Sequence, residues 1–133
     1  LPGNVTAVQD NYRGIGPLAG IEAALCAARS QAVFVFGGDM PWLSEDLVRA
    51  QVSDFLKNPS EILAARSQGL FEPLHSIYSR KIHPALVKYI GDGGSPAVID
   101  FYKLAYTRYF DLPVTEKVRK ALTNINRPED LLP

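Results

Sequence analysis

The chain is poor in the residues that announce several common chemistries. It has one cysteine among 133 residues, so no disulfide framework can form within it, and a reducing cytoplasm fits. That cysteine, Cys26, lies in an apolar helical pattern and reads as a small core residue rather than a nucleophile. Only two histidines occur, His75 and His83, and neither has cysteine partners at zinc-site spacing. Neither sign of charge is in excess: 14 basic residues balance 14 acidic ones, and no basic stripe marks a nucleic-acid partner. No apolar run approaches the roughly 18 residues of a membrane span, and no signal-peptide pattern opens the chain. Repeats, low-complexity segments and an internal linker are also absent, so 1–133 reads as a single domain with a modest core. A nucleotide-binding α/β domain usually carries a glycine-rich phosphate loop after its first strand; no such loop precedes Val5.

What is present centres on Val33-Phe34-Val35-Phe36-Gly37-Gly38-Asp39-Met40-Pro41. Four apolar residues, β-branched and aromatic, run into turn residues. This predicts a strand buried on both faces of an α/β sheet. Asp39 then falls at the strand's carboxyl end, where open α/β sheets bind ligands. Gly37 and Gly38 allow close backbone approach, and Pro41 fixes the exit. A carboxylate placed there suits a hard, oxygen-seeking cation such as Mg²⁺ that accompanies phosphates. The plainer alternative is a loop aspartate that caps the next helix.

The remainder alternates between strands and helices, which predicts the α/β class. Val5 to Asp10 reads as a strand ending in a second acid, and Asn11 to Gly16 as a glycine-bearing loop. Pro17 to Arg29 reads as a helix with Leu18, Ile21, Ala24, Leu25 and Ala28 on one face. Ser44 suits an N-cap, with Glu45 and Asp46 at the positive end of a helix that buries Leu47, Val48, Val52, Phe55 and Leu56. Strands follow at Glu61 to Arg66 and Pro73 to Tyr78, with a turn at Ser67-Gln68-Gly69. A helix from Ile82 to Ile90 stops at Gly91-Asp92-Gly93-Gly94. Ser95-Pro96 opens another helix through Leu104, Tyr106 to Leu112 is a strand, and Val114 to Leu122 a short helix.

A second motif, Gly14-Ile15-Gly16-Pro17-Leu18-Ala19-Gly20, enters the first helix. It admits a dinucleotide fingerprint, although its glycine spacing departs from the stricter form. It also admits a loop whose backbone approaches a base or ribose, or a plain connection with a proline-started helix. Other residues have structural readings. Asn126 with Glu129 forms a capping-box pattern, which does not account for Asn124. His75 fits an ordinary strand residue, His83 a helix-start surface position and Asp92 turn chemistry. The aromatics from Phe101 to Phe110 read as core and amphipathic surface, and Arg119 and Lys120 as a solvated helix face.

Four segments in order carry a resemblance: Gly16-Pro17-Leu18-Ala19-Gly20, Gly38-Asp39-Met40-Pro41, Glu72-Pro73-Leu74-His75, and Asn124-Ile125-Asn126-Arg127-Pro128-Glu129-Asp130-Leu131. Together, over Asp10 to Leu131, the sequence resembles molybdenum cofactor guanylyltransferases. The resemblance implies a three-layer, Rossmann-like nucleotidyltransferase sheet, mostly parallel with one antiparallel strand. It implies transfer of GMP from GTP to the terminal phosphate of molybdopterin, with release of pyrophosphate and with Mg²⁺ as cofactor. On this resemblance Asp39 is the catalytic aspartate that binds metal and GTP, and Asp10 is a second GTP-contacting acid. Gly16, Pro17, Leu18 and Gly20 lie beside the nucleotide. Asn124 and Asn126 lie near the pterin and metal side of the cleft, and His75, with Glu72 to Leu74, faces it. Molybdoenzymes or cofactor-insertion proteins follow as partners.

The resemblance has one gap. The family signature opens with a Leu-Ala-Gly-Gly loop, then an arginine and a lysine that hold the triphosphate, and none of it is present. Phosphoryl transfer depends on such positioning and charge. The chain therefore reads as the C-terminal two-thirds of such an enzyme, a sheet incomplete at its N-terminus, inactive alone and prone to self-association through exposed surface. Two other readings stand beside it: a related cytidylyltransferase or sugar-phosphate nucleotidyltransferase, and a non-catalytic nucleotide-binding module.

Overall fold

The computed structural model describes residues 5–10, 17–37, 45–67 and 69–112. Its elements are β1 (Val5–Asp10), α1 (Pro17–Ala27), β2 (Ala32–Gly37), α2 (Glu45–Lys57), β3 (Ile62–Ser67) and β4 (Leu70–Ser79). A 3-10 turn (Arg80–Ile82) leads into α3 (His83–Gly91), followed by α4 (Val98–Tyr102) and β5 (Thr107–Asp111). The strands form one five-stranded sheet in the order β1-β2-β4-β3-β5. β1 pairs parallel to β2 and β3 parallel to β5, while β4 runs antiparallel to both of its neighbours. Four strands thus point one way and β4 alone is reversed, the mixed sheet expected from the sequence.

The layers follow from strand alternation. Val33, Val35, Ile62, Ala64 and Tyr78 face α1, α3 and α4, whose Leu18, Ile21, Leu25, Leu86, Phe101 and Tyr102 close over them. Phe34, Leu63 and Ile77 face the other way and are covered by Val52 and Phe55 of α2. Val33, Phe34 and Val35 are all buried, as expected of a strand covered on both faces. Helix α2 carries Glu45 and Asp46 in its first turn and Lys57 in its last, matching its dipole. Arg108 of β5 ties down its C-terminal end, with Nη2 3.0 Å from Asp54 Oδ1 and Nη1 donating to the Asn58 carbonyl.

Several expectations need correction. Cys26 is exposed, not core: it sits one position, about 100° of helix, beyond the buried Leu25. Leu56 is exposed for the same reason, next to the buried Phe55. Helix α1 ends at Ala27 rather than Arg29. The helix expected from Ser95 to Leu104 is only Val98–Tyr102. Ser95 Oγ takes the Ala97 N–H, Ala97 is extended, and Thr107 Oγ1 donates back to the Tyr102 carbonyl, so both ends are stopped by side chains. Strand β4 begins at Leu70, three residues ahead of Pro73, because Gly69 turns the chain at φ 81°. Ser44 and the helix expected at Val114 to Leu122 lie outside the described residues.

The irregular part of the sheet is in β4. Leu63 pairs with Ile77, but Ala65 pairs with Glu72, so Ala64 alone stands opposite Pro73, Leu74, His75 and Ser76. This is a large bulge, and it leaves backbone groups of β4 without ladder partners. Pro73 fits there because it has no N–H to lose. Side chains replace the missing bonds. Ser76 Oγ accepts the Ala65 N–H at 3.0 Å and donates to the Glu72 carbonyl at 2.7 Å. Tyr78 OH donates to the Pro73 carbonyl at 2.9 Å and so must accept from Tyr102 OH, 2.7 Å away. The Ser76→Ala substitution would leave the buried Ala65 N–H without this acceptor. It should lower unfolding free energy by about 1–3 kcal/mol in urea titration, while Ser67→Ala in the neighbouring strand costs under about 0.5 kcal/mol.

Candidate functional site

The C-terminal ends of the parallel strands form one rim. Register puts Asp10, the last residue of β1, beside Gly37, the last residue of β2. The next residues after Gly37 in sequence are Gly38 and Asp39. Because β4 is reversed, its early half reaches the same rim: His75 pairs with Phe36, and the bulge continues past it. Glu72-Pro73-Leu74-His75 is therefore brought next to the strand that leads into Asp39. Helix α1 starts at Pro17, after the segment that leaves β1. Pro17 is half-buried, Leu18 packs in the core against the sheet, and Gly20 is buried within α1. Asp39, Gly16, Asn124 and Asn126 lie outside the described residues, and Asp10 is located through its backbone.

His75 is 1% exposed, so its ring lies beneath the rim rather than on an open wall. It meets the Phe34 ring edge-on at 5.2 Å. Nδ1 lies 2.8 Å from Gln51 Oε1, and Nε2 is buried with no partner among the described residues. Burial holds the imidazole neutral by pushing its pKa from 6.5 down to about 4. Glu72 is also buried. Farther along the rim, Arg66 at the end of β3 grips Asp111 of β5 through Nε–Oδ1 at 2.8 Å and Nη2–Oδ2 at 3.2 Å, with its guanidinium 4.8 Å over Tyr109. That pairing lowers the Asp111 pKa and raises that of Arg66.

Gln51 was not foreseen. It sits fully buried in α2, and its Nε2 donates to the His75 carbonyl at 2.8 Å and the Leu63 carbonyl at 3.4 Å. The available signal was a glutamine on the apolar stripe Val48, Val52, Phe55, three residues after the first. Among the described residues no group of three or more His, Cys, Asp or Glu side chains could hold a metal ion. The carboxylate that by its chemistry would match a hard cation, Asp39, lies outside the described residues. A cavity of about 780 Å³ lies at the other end of the sheet, between Ala32, Ser60, Ser79 and Tyr106.

A mostly parallel sheet covered on both faces defines a domain of the α/β class, in which ligands generally bind outside the carboxyl ends of the strands. Residues 1–107 match the family model described as the MobA-like NTP transferase domain. The chain belongs to this family. It is 32% identical over 133 residues to a probable molybdenum cofactor guanylyltransferase of Carboxydothermus hydrogenoformans, covering 96% of this chain and 64% of that protein. A protein of the same name from Pyrococcus furiosus is 36% identical over 120 residues, 88% of this chain and 59% of its own length. Among solved structures, molybdopterin-guanine dinucleotide biosynthesis protein A of Archaeoglobus fulgidus superposes with a TM-score of 0.69 at 25% identity, over 92% of this chain and 63% of that one. The chain thus spans about three-fifths of the length of the relatives it matches. Among the described residues no helix is long and apolar enough to cross a membrane.

The depressed histidine makes stability pH-dependent. The unfolded ring takes up a proton below pH 6.5 and the folded ring only near 4, so the stability of the neutral site is complete above 6.5 and is lost as pH falls toward 4. Urea titrations at pH 7 and pH 4.5 should show an acid loss on the order of 3 kcal/mol that His75→Gln lacks. Equal losses in the two proteins would mean the ring is accessible to protons.

Proposed function

We propose that the protein transfers GMP from GTP to the terminal phosphate of molybdopterin. An oxygen of that phosphate attacks the α-phosphorus of GTP, the bond from the α-phosphorus to the bridging oxygen breaks, and pyrophosphate leaves with both electrons of that bond. The phosphate nucleophile is already ionised, so no protein base or covalent intermediate is needed. The observation that supports this reading is the ladder pairing of Asp10 with Gly37, two residues before Asp39, within a chain of this family. Asp39 is assigned to hold Mg²⁺, which when bound would offset charge on the phosphate oxygens, and Asp10 to contact GTP. Gly16, Pro17, Leu18 and Gly20 are assigned to the nucleotide side, and Asn124 and Asn126 to the pterin side. His75 supports the wall between them from below. The product, a guanine dinucleotide cofactor, would pass to an insertion protein or a molybdoenzyme.

No residue of the chain supplies a glycine-rich triphosphate loop, and such transfer relies on preorganised charge. These 133 residues by themselves are therefore expected to show no turnover, and activity is to be measured on a polypeptide of the relatives' full length, of which this chain spans about three-fifths. In that polypeptide Asp39→Ala should lower GMP transfer by roughly 10²-fold or more with an unchanged circular dichroism spectrum. Near-normal turnover would remove Asp39 from the metal role. Calorimetric titration should show tighter binding of GTP than of CTP. Preference for CTP would point to a cytidylyltransferase, and binding without transfer to a non-catalytic module.

A further inference from the structure

Gln51 is an unusual choice for its position. A side-chain amide buried in an apolar stripe is costly unless every polar atom is met. Here all are engaged, and each partner belongs to the bulge or to the strand opposite it. The Gln51 Nε2 bonds to the His75 and Leu63 carbonyls stand where β3 would have bonded β4 had the ladder continued. A carbonyl only accepts, so the amide nitrogen must face it, and this fixes the amide's orientation. Oε1 then faces His75 Nδ1 at 2.8 Å. An amide oxygen also only accepts, so Nδ1 must carry the ring proton, and Nε2 is left as a bare acceptor.

We propose that Gln51 is a positioning residue for the rim: it replaces the strand partner that β4 loses at its bulge and locks His75 as the Nδ1–H tautomer, with Nε2 turned into a hydrogen-bond acceptor beneath the site. The role in transfer rests on the proposed function, whereas the tautomer does not. Free neutral imidazole favours the Nε2–H form, so the lock is a measurable departure. It also excludes His75 as a proton donor to substrate, since Nδ1–H is already spent on Gln51. Through the shared backbone, a shift of Gln51 moves Pro73, Leu74 and His75 together and with them the wall next to Phe36 and Gly37.

Two-bond ¹H–¹⁵N spectra of the histidine rings, recorded on this chain at pH 6.5–8, test the lock directly. The His75 spectrum should show protonated Nδ1 and unprotonated Nε2. Gln51→Met keeps the volume and removes the hydrogen bonds, and should return the ring to the Nε2–H form or a mixture. Gln51→Glu keeps an acceptor facing Nδ1 and should keep the Nδ1–H form. An Nε2–H ring in the unsubstituted chain, or an unchanged spectrum in Gln51→Met, would overturn the proposal, and the first of these readouts needs no variant to fold. In the polypeptide that carries transfer, Gln51→Met should lower kcat by roughly tenfold or more, with KM for GTP changed less than about twofold. An unaltered kcat would leave the lock in place and reject the positioning role. Absence of transfer in the unsubstituted polypeptide would instead reject the proposed function, with the spectra still deciding the lock.

Discussion

The sheet is held in register by side chains at the one place where its backbone ladder fails. Ala64 faces four residues of β4, and regular pairing with β3 resumes only at Glu72. An open bulge of that size within a covered sheet would leave buried carbonyls and N–H groups bare, each costing about 1–3 kcal/mol. Ser76, Tyr78, Tyr102 and Gln51 remove that cost from both faces of the sheet. The tyrosine pair comes from the side of α4 and the glutamine from the side of α2, so the two helical layers are joined through the bulge. Burial keeps both tyrosines neutral, raising the pKa of Tyr102 and of Tyr78 well above the ordinary tyrosine value. The network therefore acts as a set of fixed dipoles over the whole working range of pH.

The bulge is also what lets a reversed strand serve a rim made by parallel ones. A regular antiparallel β4 would send its side chains alternately to the two faces and contribute nothing to the strand ends. The extra residues carry Pro73 and Leu74 past the end of β2 and set His75 opposite Phe36. The C-terminal ends of β1 and β2 lie side by side there, Asp10 paired with Gly37. Arg66 and Asp111 occupy the far part of the rim and neutralise one another, which keeps that arginine from acting as a free phosphate ligand.

Local patterns were enough for much of this. The apolar run from Val33 to Phe36 is continuous because the strand is covered on both faces, and its β-branched and aromatic residues and flanking glycines set it apart from a buried helix segment. The spacing of Leu18, Ile21, Ala24 and Leu25 marks the buried stripe of α1 just as directly. Cys26 and Leu56 were misread because a residue adjacent to a stripe is as apolar in sequence as one within it. The bulge was invisible for a different reason. Its length depends on which residues of β3 pair with which of β4, a relation between distant segments that no local period records. Gln51 belongs to the same class: its meaning lies in the carbonyls it meets, although a polar residue on an apolar stripe was a legible irregularity. Asp39 is assigned from its place after the strand and from the resemblance, and it lies outside the described residues.

A buried acceptor such as His75 Nε2 also constrains what the rim can become. Nothing on the described chain donates to it, yet an acceptor removed from water is stable only while its neutral lone pair is cheap to hide or a donor arrives. A protonated ring would trade that acceptor for a donor and place a buried cation beneath the rim. Such a cation would oppose the metal ion proposed for that end of the sheet. The lowered pKa prevents this throughout the neutral range. The same burial that packs the ring against Phe34 thus keeps a positive charge out of the wall beneath the rim.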